Sequence, residues 1–318
     1  MRFFTSGFSL AKPLFQRIYT CLLASFKPAF KTIKWLLSLM IPISFAVMVL
    51  DYSGVLLWLS HLTAPFVKLL GLRGESALVL LTSGFLNIYS AIAVIQSINF
   101  SLREITIMAL MCLIAHNLII ETAVQKKTGS SGIWMVFLRI ISAIVGGIVL
   151  NLVLPTDTST TTIQTPHHLV FTFAQTFTHW YHDTFILIVK IIVIIMALNF
   201  LHRILDEFSI TLLLSKIMFP ILKLFGLPPQ SSFMWLIANI IGLAWGSAVL
   251  IDQTEQGKIT GKEANILNHH IAISHSLLED TLLFAALGVS VFWLIFPRLV
   301  LAFLAVWLFR LFFFRKNN

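Results

Sequence analysis

Pro65-Phe-Val-Lys-Leu-Leu-Gly-Leu72 recurs 155 residues later as Pro220-Ile-Leu-Lys-Leu-Phe-Gly-Leu227, and this pair decides how the chain is read. The same offset places Asp51 on Asp206, Ser60 on Ser215 and Ser76 on Ser231. A small insertion then moves the offset to 159. Ser101 meets Thr260, Glu104 meets Glu263, His116 meets His275, and Glu121-Thr122 meets Asp280-Thr281. Trp134 and Arg139 fall on Trp293 and Arg298. Apolar matches arise by chance in an apolar chain; polar and special residues repeated in order do not. The sequence reads as an internal duplication.

Of the 318 residues, 58% are hydrophobic and 11% charged, and the mean hydropathy is +0.92. A soluble domain carries about a quarter charged residues, so this composition cannot cover a water-facing surface. Each repeat contains five apolar segments: 32–50, 53–70, 76–97, 102–125 and 132–153, then 185–202, 208–225, 231–252, 263–284 and 290–312. Crossing the hydrocarbon core takes about 20 residues of helix. The expected fold is an all-α polytopic membrane protein of about ten segments in two five-segment repeats. Ser101-Leu-Arg-Glu104 and Thr260-Gly-Lys-Glu263 are capping boxes that start a helix at the same point in each half.

Five is odd, so the second repeat should be inverted relative to the first. Lys and Arg concentrate in cytoplasmic loops. With the N-terminus inside, the inner loops carry Arg73, Lys126 and Lys127, Arg203, Lys258 and Lys262, and the tail Arg310, Arg315 and Lys316. Among the outer connections only the Arg103 loop is basic. The expected location is the cell (inner) membrane, multi-pass, with both termini cytoplasmic. The domain reading is a basic amphipathic interfacial segment over 1–31, repeat 1 over 32–155, an outer linker and interfacial segment over 156–184, and repeat 2 over 185–318. That linker carries His167, His168, His179 and His182 at a spacing that fits no metal motif. Cys21 and Cys112 give no disulfide framework. The formal charge of +9 reflects the inner loops, not nucleic-acid binding.

The chemistry is concentrated in the fourth segment of each repeat. At about 100° per residue, Asn268, His269, His275, Ser276, Glu279 and Asp280 share one helical arc, and His270 and Thr281 point elsewhere. His116, Asn117 and Glu121 occupy the matching arc in the first half. An ionised group at mid-bilayer costs at least ~2.5 kcal/mol, so such groups face a protein interior or a watery cavity. The third segments offer small polar faces: Ser83, Gly84, Asn87, Ser90 and Ala91 in one half, Asn239, Gly242, Gly246 and Ser247 in the other. Ser, Asn and His also serve as plain interhelical hydrogen-bond glue. Duplicated His with carboxylate is harder to explain that way, since apolar packing costs less than buried charge. Arg139 and Arg298 either neutralise Glu121 and Asp280 or meet an anionic ligand.

Gly84-Phe-Leu-Asn-Ile-Tyr-Ser-Ala91, the Ser101/Glu104 helix start, Ala115-His-Asn-x-x-x-Glu-Thr122 and Ser274-His-Ser-Leu-Leu-Glu-Asp-Thr281 together resemble the nucleoside recognition, or Gate, domain family. That family includes spore maturation membrane proteins, and similar domains occur in concentrative nucleoside transporters and in ferrous-iron transport proteins. The resemblance covers roughly 32–153 and 185–312, and it implies a bacterial inner-membrane, transporter-like protein with two inverted Gate domains. The chain departs from those relatives in having no Gly-x-x-x-x-Gly-Lys-Ser/Thr phosphate loop and no Gln/Thr/Glu nucleoside pattern.

The leading functional expectation is a transporter or permease for a small polar solute or ion, in which the repeats rock about an intramembrane His/carboxylate site. A divalent cation (Fe²⁺, Mn²⁺ or Zn²⁺) held by His116, His275, Glu279 and Asp280 is one variant, since imidazole and carboxylate suit those ions. H⁺ or Na⁺ are the candidate coupling ions. A non-transporting scaffold is the alternative class. An intramembrane enzyme is disfavoured, because no His-Glu-x-x-His motif and no recognisable nucleophile context occur. The expected partners are the bilayer, a small solute or metal ion, and a second copy or second membrane subunit.

Overall fold

The computed structural model describes residues 13–155, 172–240, 242, 251, 254–257 and 259–316. Every element among them is helical. The first half contains α1 (Leu14–Tyr52), α2 (Val55–Val67), α3 (Ser76–Phe85), α4 (Ile88–Ser97), α5 (Leu102–Ala115), α6 (Leu118–Lys127) and α7 (Gly132–Val153). The second contains α8 (Phe173–Glu207), α9 (Ile210–Leu224), α10 (Ser232–Ile240), α11 (Gly261–Ser274), α12 (Glu279–Ala285) and α13 (Val291–Lys316).

Among the described residues, five helices rather than ten are long and apolar enough to cross a membrane: Leu14–Tyr52, Leu102–Lys127, Gly132–Val153, Phe173–Glu207 and Val291–Phe312. The difference has two sources. Residues 14–31 of the expected interfacial segment and the first span of repeat 1 form one 39-residue helix, α1, which runs through Pro28 and Pro42; residues 1–12 lie outside the described residues. In the same way α8 absorbs the end of the 156–184 linker and the first span of repeat 2. Conversely, the 76–97 segment splits into two ten-residue helices, each about 15 Å long and so half of the ~30 Å hydrocarbon core.

α3 and α4 pack side by side. Asn87 stops the first and starts the second: its backbone is extended, and its side-chain oxygen accepts from the Ser90 amide at 2.9 Å. Arg73, just before α3, donates to the Asn99 carbonyl just after α4 at 2.6 Å and pairs with Glu104 at 2.9 Å. The pair is therefore a hairpin whose two ends meet. The loop assignment set Arg73 and Arg103 on opposite sides; in the structure their connections are held to each other. Asn151, at the end of α7, ties them together by accepting from Arg103 at 2.5 Å and donating to the Leu69 carbonyl at 3.2 Å.

Local geometry recurs at the sequence offsets. Gly71 and Gly226 both adopt left-handed backbone, φ 67° and 69°, and the next amide closes onto the residue five back in each case, Leu72 on Val67 and Leu227 on Leu222. The Ser101/Glu104 and Thr260/Glu263 capping boxes both form. α1 packs along α8, α5 packs on α7, and α11 packs on α13. Thr106 through Ile114 on α5 and Leu267 through Ser274 on α11 are buried on all sides, which makes these two broken helices the centre of the molecule. Large apolar side chains such as Phe66, Leu69, Ile133 and Leu152 point outward, as a lipid-facing surface requires.

Candidate ion site at the helix breaks

The arc drawn through the fourth segments assumes unbroken helices, and both are broken at the residues of interest. α5 ends at Ala115 and α6 begins at Leu118; α11 ends at Ser274 and α12 begins at Glu279. Asn117 and Ser276 turn the chain in left-handed backbone, φ 47° and 52°, a conformation that non-glycine residues adopt at a cost. Each break is stitched to the neighbouring third segment: the Asn117 amide donates to Ser83 O, and the Ser276 amide donates to Ala238 O, both at 2.9 Å.

A helix break orphans carbonyls at its C-terminal end. Arg139 and Arg298, both fully buried, satisfy them. Arg139 Nε donates to Ile114 O at 2.8 Å and Nη2 to His116 O at 2.6 Å. Arg298 Nε donates to Ile273 O at 3.3 Å, and Nη2 donates to Ser274 O at 3.1 Å and to His275 O. The positive guanidinium also sits at the negative end of each half-helix.

The carboxylates enter from the opposite direction, in the first turns of α6 and α12. Glu121 Oε2 lies 2.7 Å from Arg139 Nη2 and 3.1 Å from His275 Nε2, and its Oε1 lies 3.1 Å from His116 Nε2. Asp280 Oδ2 lies 3.4 Å from the same His116 nitrogen. The two imidazole rings sit 5.0 Å apart. His116 Nδ1 donates to Cys112 O at 3.0 Å and His275 Nδ1 to Ile271 O at 2.8 Å. Since a carbonyl only accepts, both rings carry their proton on Nδ1 and turn Nε2 to the carboxylates. A bare lone pair facing a carboxylate is repulsive, a repulsion that a shared proton or a cation would relieve. The formal charges agree: Arg139 and Arg298 oppose Glu121, Glu279 and Asp280.

The structure brings together His116, Glu121, His275 and Asp280, with Glu279 beside them. Tyr89 donates to Glu279 Oε1 at 3.2 Å, and the Gly242 α-carbon passes so close that an added Cβ would lie 3.3 Å from Glu279 Oε2 and 3.1 Å from Ser276 Oγ. Asn117 and Ser276 shape the turns. Asn268 and His269 are elsewhere. Asn268 donates to Thr128 Oγ1 at 2.9 Å and Ser130 Oγ at 2.8 Å. His269 spends both nitrogens, on Asn265 O and on Trp134 Nε1, and stacks on Phe309. Asn87 is the hairpin cap, Asn239 donates to Trp235 O, and Ser247 lies outside the described residues. Tyr89 was missed, though it sits between Asn87 and Ser90 in an otherwise apolar run. Thr281, read as pointing away, accepts from Arg298 Nη1 at 3.3 Å.

The chain is 28% identical over 287 residues to a protein described as the uncharacterized membrane protein YvoD of Bacillus subtilis (strain 168), covering 88% of this chain and 91% of that one. No protein-family model matches it, and no solved structure matches it. With the apolar helices, this likeness defines the class: a membrane protein with several apolar helices long enough to cross the bilayer.

Proposed function

We propose that the chain is a permease built from two repeats of opposite orientation, each with three crossing passes and one interfacial helix, the first also with the α3–α4 hairpin, and with its transport site where the two broken helices meet. In this reading α1, α5–α6 and α7 cross in the first half, and α8, α11–α12 and α13 in the second, while α2 and α9 lie along opposite faces. Two side-chain relationships support the orientation. Arg17 near the start of α1 pairs with Glu207 at the end of α8 at 2.7 Å. At the other end, Asp51 shares a cavity of about 290 Å³ with His179 and Asp183 near the start of α8. The basic residues Arg17, Lys126, Lys127, Arg203 and Lys262 then gather on one face, as cytoplasmic residues do. The resemblance to the nucleoside recognition family favours the same arrangement.

The observation that carries the transport reading is the convergence of His116 and Glu121 from one repeat with His275 and Asp280 from the other. A scaffold has no use for an ionisable cluster at the ends of four half-helices, where apolar residues pack at lower cost. A transporter needs a polar site near the midplane that both repeats touch, so that their relative motion changes its access. The solute is a small polar molecule or ion, with H⁺ or Na⁺ as coupling ion, and no enzymatic step is assigned.

Reconstituted protein in proteoliposomes tests this. Wild type should collapse an imposed pH gradient, or take up a solute from a panel of nucleosides, organic anions and cations, and Glu121→Gln should abolish the flux while remaining folded. Flux unaffected by Glu121→Gln and by Asp280→Asn would leave the scaffold reading in its place.

A further inference from the structure

We infer that the cargo of this site is a divalent transition-metal cation of the Zn²⁺ type, held between the repeats by His116 Nε2, His275 Nε2, Asp280 and Glu121. The assignment rests on the permease reading and names its substrate class.

Three observations support it. The first is donor geometry. One ligand atom each from His116, His275 and Asp280 lies within 4.8 Å of the others, all three residues being buried. The nitrogen–oxygen separations through Glu121 and Asp280 are 3.1, 3.1 and 3.4 Å. Ligands about 2.0–2.1 Å from a tetrahedral ion lie about 3.3 Å from one another. His116, His275 and Asp280 stand at three corners compatible with such a polyhedron, and Glu121, which reaches His116 through Oε1 and His275 through Oε2, would turn one oxygen inward to complete it.

The second is orientation. A metal-bound histidine donates its other ring N–H to a carbonyl or carboxylate, which fixes the tautomer and aims the free lone pair. His116 and His275 both do so through Nδ1, to the carbonyls of Cys112 and Ile271. His275 is fully buried, and its Nε2 has no hydrogen-bond partner, although Glu121 Oε2 is 3.1 Å away. A nitrogen so placed is finished by an ion.

The third is the donor set. Two imidazoles and two carboxylates suit borderline divalent ions; Mg²⁺ and Ca²⁺ favour all-oxygen shells, and Cu⁺ favours thiolate or thioether. Arg139, 2.7 Å from Glu121, weakens the field on the ion. A resident structural metal would be poorly served by that neighbour; a cargo that must leave is well served by it.

Co²⁺ is the probe, because four-coordinate Co²⁺ absorbs strongly in the visible. Purified chain titrated with Co²⁺ alone should develop visible bands that saturate at one equivalent and vanish on adding Zn²⁺. His182→Gln, which removes an exposed histidine, should keep them; His275→Gln and Asp280→Asn should each lose them. Absence of the bands in wild type, or their survival in both variants, overturns the assignment. Because a buried substitution can unfold the chain, unsubstituted protein gives a second readout: Zn²⁺ should raise its unfolding temperature and Mg²⁺ at equal concentration should not. Equal responses overturn the assignment. Flux in proteoliposomes without Co²⁺ binding sinks the metal while leaving the permease, and Co²⁺ binding without any flux supports the site while sinking the permease.

Discussion

Arg298 repeats, 159 residues further along the chain, the grip that Arg139 holds on a broken helix. Arg139 Nε bonds Ile114 O and Nη2 bonds His116 O; Arg298 Nε bonds Ile273 O and Nη2 bonds His275 O. Each arginine replaces, for a buried C-terminal end, the intrahelical partners that the break removed. The breaks, and with them the exposed ends that form the site, exist because a guanidinium is there to cap them.

Removing that cap should be costly and partly reversible. Arg139→Met leaves two carbonyls unsatisfied and strands Glu121 without its counter-charge, so stability should fall by about 3–5 kcal/mol. Adding Glu121→Met should recover part of the loss, because the stranded charge goes with it. Arg139→Lys should not rescue, since one ammonium cannot span the two carbonyls and the carboxylate as the planar fork does. Thermal unfolding in detergent of the two single variants and the double variant measures the cycle; strictly additive effects would show that the pair is not coupled.

The backbone at the breaks makes a second prediction. Ser276 holds φ 52° without being glycine or asparagine, whereas its counterpart is Asn117. Ser276→Asn should be tolerated. Ser276→Ile should cost roughly 1–2 kcal/mol or more, because a β-branched side chain crowds the left-handed conformation. Equal unfolding temperatures for the two variants would count against the turn geometry.

Sequence periodicity singled out residues that the structure gathers for a different reason. His116, Glu121, His275 and Asp280 are neighbours, but because two half-helices end and two begin at one point, not because they share an arc of a continuous helix. The same assumption also drew in Asn268 and His269, which lie one to two turns away on intact α11. Breaks at Leu86–Asn87, His116–Asn117 and His275–Leu278 are hard to see in sequence. No proline or glycine marks them, and a hydropathy window counts apolar residues without knowing whether they cross or turn back. The capping boxes, in contrast, were legible, since Ser101/Glu104 and Thr260/Glu263 carry their partners within four residues. The arginine clamps link positions 23 to 25 residues apart, which no local pattern encodes.

Asn268 should therefore behave as a structural tie. It joins α11 to Thr128 and Ser130 before α7, next to the Ser130–Asn265 bond at 2.7 Å. Asn268→Ala should lower stability by about 1–3 kcal/mol through the loss of its hydrogen bonds to the Thr128 and Ser130 hydroxyls. It should leave the ion selectivity of any measured flux unchanged. A changed selectivity in a folded Asn268→Ala protein would return this residue to the site.

Glycine substitutions test the packing of the interfacial turn. A Cβ on Gly74 would fall 1.9 Å from Ser60 O, a backbone atom that cannot move aside, whereas a Cβ on Gly261 meets nothing within 4 Å. Gly74→Ala should prevent folding or cost several kcal/mol. Gly261→Ala, at the start of α11, should be neutral or gain about 0.4–1 kcal/mol by restricting the unfolded chain. Yield of monodisperse protein and unfolding temperature decide both.

The hairpin makes the sharpest prediction about the membrane. If 53–70 and 76–97 were both full spans, Lys68 would sit on the face opposite Ser53 and Asn99. In the structure Arg73 bonds the Asn99 carbonyl, Asn151 bonds both Arg103 and the Leu69 carbonyl, and Asp51 shares a cavity with Asn99. In the proposed topology positions 53, 68 and 99 share one face, and Lys127, at the end of α6, lies on the other. The native Cys21 and Cys112 are buried, so single cysteines can be introduced at Ser53, Lys68, Asn99 and Lys127, all exposed, over a quiet background. A membrane-impermeant thiol reagent applied to intact cells should label Ser53→Cys, Lys68→Cys and Asn99→Cys alike, and Lys127→Cys only after the membrane is opened. Labelling of Lys68→Cys together with Lys127→Cys would restore the second and third segments as full spans and dissolve the hairpin.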